Sequence, residues 1–159
     1  MQKPVNPLTL FIQEHSKLLT HLKKLNVLSY SIGKKGISKR TLQTIDGVLK
    51  ILESEVSVHN RLEEKALFPV IETQVEGPTW ILREEHNLMK TSFEKLRKVL
   101  VRINKLKVAS VQAKELTEPI HKVVLIFVNH IHKENYMLFP LLNRYFTRDE
   151  LNKIAKKMF

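Results

Sequence analysis

His130-Ile131-His132-Lys133-Glu134-Asn135-Tyr136-Met137-Leu138-Phe139-Pro140 sets a histidine and a carboxylate four residues apart and closes on Leu-Phe-Pro. A second copy stands upstream, His59-Asn60-Arg61-Leu62-Glu63-Glu64-Lys65-Ala66-Leu67-Phe68-Pro69. His59/His130, Glu63/Glu134, Leu67/Leu138, Phe68/Phe139 and Pro69/Pro140 are all 71 residues apart, and the same offset pairs Glu14-His15 with Glu85-His86. Two histidines and one glutamate therefore occur twice, in the same order and spacing. This pattern reads as a duplicated metal-binding half-site.

Composition bounds the rest. A chain of 159 residues is one domain by size, long enough to bury a core, here expected over 1–159. Only 4 Gly and 6 Pro favour helices over a turn-rich β fold. There is no cysteine, which excludes thiolate ligands, disulfides and thiol redox chemistry, so any metal is held by nitrogen and oxygen. The longest apolar run, Val123 to Val128, is far too short to cross a bilayer, and Met1 to Pro7 has no apolar signal core. A cytoplasmic protein with no membrane association is expected. The net charge of +11 is spread along the chain, without the interleaved aromatics of a stacking platform. A solvated lysine-rich surface is expected, and nucleic-acid binding is not.

Asn6-Pro7 starts a first helix, with Asn as N-cap and Pro at the first helical position. Phe11, His15, Leu18, Leu22 and Leu25 then recur at alternating steps of 4 and 3, the seam of a helix packed in a bundle. Gly33-Lys34-Lys35-Gly36 ends it, and Ser38 caps the next helix. The second seam is Ile45, Leu49, Leu52, Val56, His59, Glu63, Ala66 and Val70, stopping before Gly77-Pro78. Thr79 is expected to cap a third helix with seam Leu82, His86, Met89, Phe93, Leu96, Leu100 and Ile103. The fourth seam reads Leu116, Ile120, Val123, Phe127, His130, Glu134, Met137 and Leu141, with regular helix expected from Thr117 because of Pro119. Thr147-Arg148-Asp149-Glu150 is a capping box for a short amphipathic helix over about 148–158. The expected fold is all-α: an antiparallel up-down-up-down four-helix bundle over about 7–145, with a short C-terminal helix.

All six repeated polar residues, His15, His59, Glu63, His86, His130 and Glu134, lie on these seams. Counted from the turns at 1.5 Å rise per residue, their levels differ by roughly 2–5 Å, within side-chain reach. Four imidazoles and two carboxylates suit Fe, Mn or Zn. The economical arrangement is a pair of divalent ions, each taking two histidines and sharing both glutamates. Two cations would also offset the burial of two carboxylates. The competing reading makes each histidine a satisfied core residue and each glutamate solvent-facing. Six such residues at one level, on one seam and in one repeat, favour the metal.

The repeat also filters. His21, His121 and His132 fall opposite Ser92, Lys50 and Arg61 and off the seam, so they read as surface residues or supports behind the ligands. Glu64 maps onto Asn135 and is set aside. Glu14 and Glu85 satisfy the repeat but point about 100° away from their histidines. Either they contact the ligands from behind or they are ordinary charged helix residues. Phe68, Phe139, Met89, Phe93 and Phe127 read as core and wall.

Ligands in the order His15, His59-x-x-x-Glu63, His86, His130-x-x-x-Glu134, with Leu-Phe-Pro after each Glu, resemble the hemerythrin-like (HHE cation-binding) family over about residues 8–145. The resemblance implies a non-haem di-iron centre: two iron ions, oxo- or hydroxo-bridged, with Glu63 and Glu134 bridging. Zn or Mn would fit the same donors. Oxygen-carrying hemerythrins use a fifth histidine four residues after the third-helix ligand, where this chain has Lys90. Plain O2 carriage is therefore less expected than the activity of bacterial relatives linked to nitric-oxide or peroxide stress and iron-centre repair. The implied function is binding or reaction of a small molecule (O2, NO or peroxide) at the four-His/two-Glu site, served by an electron donor. The alternative is a non-catalytic iron-binding, iron-sensing or iron-donating module.

Overall fold

A computed structural model describes residues 5–159. Met1–Pro4, where the segment without a signal core begins, lie outside the described residues. Among the described residues there is no strand. Helix α1 spans Pro7–Lys35; the Asn6 side chain accepts from the Leu8 N–H at 3.0 Å, and Gly36, at φ 80°, closes the other end on the Ile32 carbonyl. Helix α2 (Lys39–Leu62) opens on the Ser38 hydroxyl, which accepts from the Thr41 N–H. Helix α4 is Pro78–Asn104, α5 is Lys114–Lys133, and α7 is Arg148–Met158 behind the full Thr147–Glu150 capping box.

The two copies of the motif break the helical pattern in the same way. A π turn, Glu63–Leu67, joins α2 to the short α3 (Phe68–Glu72), and a second, Glu134–Leu138, joins α5 to α6 (Phe139–Tyr145). In each, the Phe N–H bonds the carbonyl of the Glu five residues back. The following proline explains the widening. Its ring has no N–H and clashes with the carbonyl four residues back in a regular helix. Such single-turn π insertions concentrate at functional sites.

The inserted residue shifts the helical phase, which corrects the fourth seam. Met137 and Leu141, expected inside, are 64% and 53% exposed, and Phe139 and Leu142 take the interior instead. In the first copy Ala66 and Val70 stay buried, with Leu67, Phe68 and Ile71 beside them, because α7 covers that side of the π turn. Two helix starts also differ. Thr79 is not a cap: Gly77, at φ 112°, holds that position before Pro78, and Thr79 turns inward to donate to Glu72 at 2.8 Å. Helix α5 begins at Lys114 with Pro119 inside it. Full burial of Leu116 and Ile120, roughly 1.5–3 kcal/mol each, offsets the ~3 kcal/mol an interior proline costs.

The four long helices pack in a ring, with α1 and α4 each lying against α2 and α5. Two apolar clusters fill the helical bundle. One holds Leu18 to Ile32 of α1, Met89 to Ile103 of α4 and Leu116 to Ile131 of α5. The other holds Leu8 and Phe11 with Phe68, Leu82, Phe139 and Ile154 of α7. A polar layer separates them. On every long helix, the passage from one cluster to the other occurs at a histidine or a glutamate. Among the described residues no helix is long and apolar enough to cross a membrane.

Candidate metal centre

The six seam residues meet in that layer. His15, Glu63 and Glu134 are 0% exposed, His130 is 2%, and His59 and His86 are 4% and 6%. Two groups form, His15-His59-Glu63-Glu134 and Glu63-His86-His130-Glu134, with ligand atoms inside each group all within 4.8 Å of one another. Both glutamates belong to both groups. Glu63 Oε1 lies 3.0 Å from His59 Nε2, while its Oε2 lies 3.2 Å from His86 Nε2. Glu134 Oε2 lies 3.1 Å from His15 Nε2, and its Oε1 lies 3.2 Å from His130 Nε2. Each carboxylate spans from one histidine pair to the other.

What holds the rings is a second set of oxygens. His59 Nδ1 donates to Glu14 Oε2 and His130 Nδ1 to Glu85 Oε2, each at 2.7 Å. His86 Nδ1 donates to Glu64 Oε1 at 2.7 Å, and His15 Nδ1 to Asn135 Oδ1 at 2.6 Å. An acceptor at Nδ1 fixes a proton there and turns Nε2 inward, the nitrogen left to meet a cation. Glu14 and Glu85 are thus contacts behind the histidines. Glu64, set aside because it maps onto Asn135, and Asn135 itself occupy equivalent places on crossed histidines. The signal that finds them is position: both stand at the repeat offset and both carry a side-chain oxygen. His21 instead pairs with Glu55 at 3.2 Å, His121 with Ser29 at 3.0 Å, and His132 lies edge-on to Tyr136, all outside the centre. Lys90 is exposed.

The electrostatics of the layer fit a cation. Burial pushes His59 down, but the charge of Glu63 and the hydrogen bond to Glu14 outweigh it, and its pKa rises to about 10. His130 rises to about 10 likewise, burial being overcome by Glu134 and Glu85. Burial pushes Glu63 up, yet the charge of His59 and the close approach of the His59 and His86 rings hold it well below the usual carboxylate range. Without metal, positive charge on His59 and His130 therefore balances the Glu63 carboxylate. The balance is incomplete in geometry: both oxygens of Glu63 and of Glu134, and Nε2 of His86 and His130, are buried without a hydrogen-bond partner. These orphaned atoms point at one another across a few ångströms. Leaving such groups unpaired costs about 1–3 kcal/mol each, more when charged, and divalent cations would satisfy all of them. The donor set, imidazole and carboxylate without thiolate, matches Fe, Mn or Zn.

Aromatic rings wall the layer. Phe139 stacks on His15 and Phe68 on His86, both with centroids 5.6 Å apart. Two grooves approach from outside. One, of about 240 Å³ between α1 and α2, is floored by His59 and Glu14. The other, of about 450 Å³ between α2 and α4, reaches His86 past Asn60, Met89 and Lys90.

A family model, the hemerythrin HHE cation binding domain, matches residues 6–142. Among characterised proteins the chain is similar to the iron-sulfur cluster repair protein YtfE of Yersinia pseudotuberculosis serotype IB (strain PB1/+), 25% identical over 146 residues. It is similar to the YtfE of Yersinia pestis (strain Pestoides F) at 24% identity over the same length. In both comparisons 87% of this chain aligns and spans 66% of the relative.

Proposed function

The chain belongs to the hemerythrin HHE cation-binding family, and on that premise we propose that it is a non-haem di-iron protein that binds or reacts with O2, NO or peroxide within its bundle. The observation that carries the reading is that Glu63 and Glu134 each turn one oxygen to either histidine pair. In this reading the four long helices run up-down-up-down as one domain. His15 and His59 hold one iron ion, His86 and His130 hold the other, and the two glutamates serve both.

Bound iron would supply the redox chemistry. The chain's residues do the rest. Glu14, Glu64, Glu85 and Asn135 orient the four imidazoles. Phe68 and Phe139 exclude water from the inner faces, and the grooves beside His59 and His86 give a small molecule two ways in. An electron donor would dock on the outside of the bundle, and the compartment proposed is the cytoplasm. The similarity to iron-sulfur cluster repair proteins favours a second reading in which the same site holds iron for donation.

Anaerobic reconstitution with Fe(II), followed by separate exposure to O2, NO and peroxide, tests the proposal. One iron for each of the two residue groups is expected, with an optical spectrum that changes on exposure to at least one of the three. Release of the iron to an apo iron-sulfur protein without such a change would select the second reading. Protein that stays metal-free, or whose stability is indifferent to His59→Ala, overturns both.

A further inference from the structure

The repeat makes each residue behind a ligand comparable with its counterpart 71 positions away. Glu14 and Glu85, behind His59 and His130, are both carboxylates. Glu64 and Asn135, behind His86 and His15, are not alike: the first is a carboxylate, the second a neutral amide. Three histidines thus lean on carboxylates and one on an amide. Both hydrogen bonds are short, 2.7 Å and 2.6 Å, so the difference lies in the acceptor and not in the distance.

We propose that the two ion positions are unequal, the His86–His130 position taking a divalent cation first and more tightly, because Asn135 puts a neutral amide behind His15. This rests on the reading of the centre as a two-ion site. A carboxylate accepting from Nδ1 strengthens the opposite nitrogen as a donor to metal, and an amide oxygen does so less. Two cations partly oppose the effect. Arg83 stands 3.9 Å from Glu64 Oε2, and Lys133 pairs with Glu85 Oε1. Both sit on the outer oxygens, with side chains 36% and 49% exposed, where solvent screens them. The imidazole N–H meets the inner oxygen directly. The direct contact decides the order, and losing such a partner changes metal affinity on the order of 10- to 100-fold.

The test is an anaerobic Fe(II) titration followed by calorimetry, with crystals grown at one equivalent and examined by anomalous scattering at the iron edge. Wild type is expected to bind in two steps separated by roughly 10-fold or more, with the first ion between His86 and His130. Asn135→Asp should merge the steps by strengthening the weak position. Combined with Glu64→Gln, which exchanges the two acceptor types, it should invert the order of filling. A single step in wild type, a first ion between His15 and His59, or an unchanged gap in Asn135→Asp overturns the inequality. The one-equivalent crystal of wild type needs no variant, so a misfolded substitution leaves the question decidable. Protein that takes up no iron overturns the two-ion reading itself, whereas two ions of equal affinity overturn the inequality alone.

Discussion

The Phe139 ring lies almost parallel to the His15 imidazole, with centroids 5.6 Å apart and planes 11° apart. The stack joins the two ends of the chain's logic. The π turn at Glu134–Leu138 sets the phase that brings Phe139 inward, and α1 supplies the histidine it covers. Phe68 on His86 repeats the arrangement at 20°. The Leu-Phe-Pro that closes each motif is therefore a wall of the centre.

Phe139→Ala should lower stability by about 3–5 kcal/mol, the usual cost of emptying a buried phenylalanine site. It should also speed iron loss, because the void lies against His15. Thermal melts and chelator-challenge rates check both. Faster iron loss without a drop in melting temperature would show that the ring guards the metal and adds nothing to the core.

Glu63→Ala is expected to weaken iron retention at both positions, since Glu63 belongs to both groups. Iron content after gel filtration is the measurement. Loss of one ion with full retention of the other would mean that the carboxylate serves a single position.

The metal-free protein should have a distinct pH profile. His59 and His130 rise from 6.5 to about 10 on folding, so their contribution is complete below pH 6.5 and disappears as pH climbs towards 10. Glu63 is held well below 4.5, so its contribution is present above that pH and disappears on further acidification. Chelator-treated protein should melt highest between about pH 4.5 and 6.5 and progressively lower on the alkaline side. A melting temperature still rising at pH 8 contradicts the charge balance described for the layer.

Ser38→Ala removes the oxygen that caps α2 and should cost about 1 kcal/mol of stability. Iron content should not change, because the cap lies at the end of the bundle away from the histidines. Reduced iron uptake here would show that metal binding is limited by overall stability, and would reset the baseline for the variants above.

Much of the centre could be read along the chain. Steps of 3 and 4 fix which side of each helix faces inward, so His15, His59, Glu63, His86, His130 and Glu134 could be placed on buried seams from sequence. Less legible were the residues behind them. Glu64 and Asn135 differ in identity, so a comparison of letters passed over two positions that do the same work on crossed histidines. Met137 and Leu141 were placed inside because a regular helical period does not register the extra residue of a π turn.

The sequence by itself determined the kind of site: nitrogen and oxygen donors only, two repeated halves and a helical frame, because residue chemistry and periodicity are local properties. Tertiary structure decided the pairing. Which histidines share a position, and that each carboxylate turns one oxygen to either pair, follow from which helices become neighbours and how far each has rotated. The period of one helix carries no information about its rotation relative to another. That is settled only when the apolar clusters above and below the layer pack.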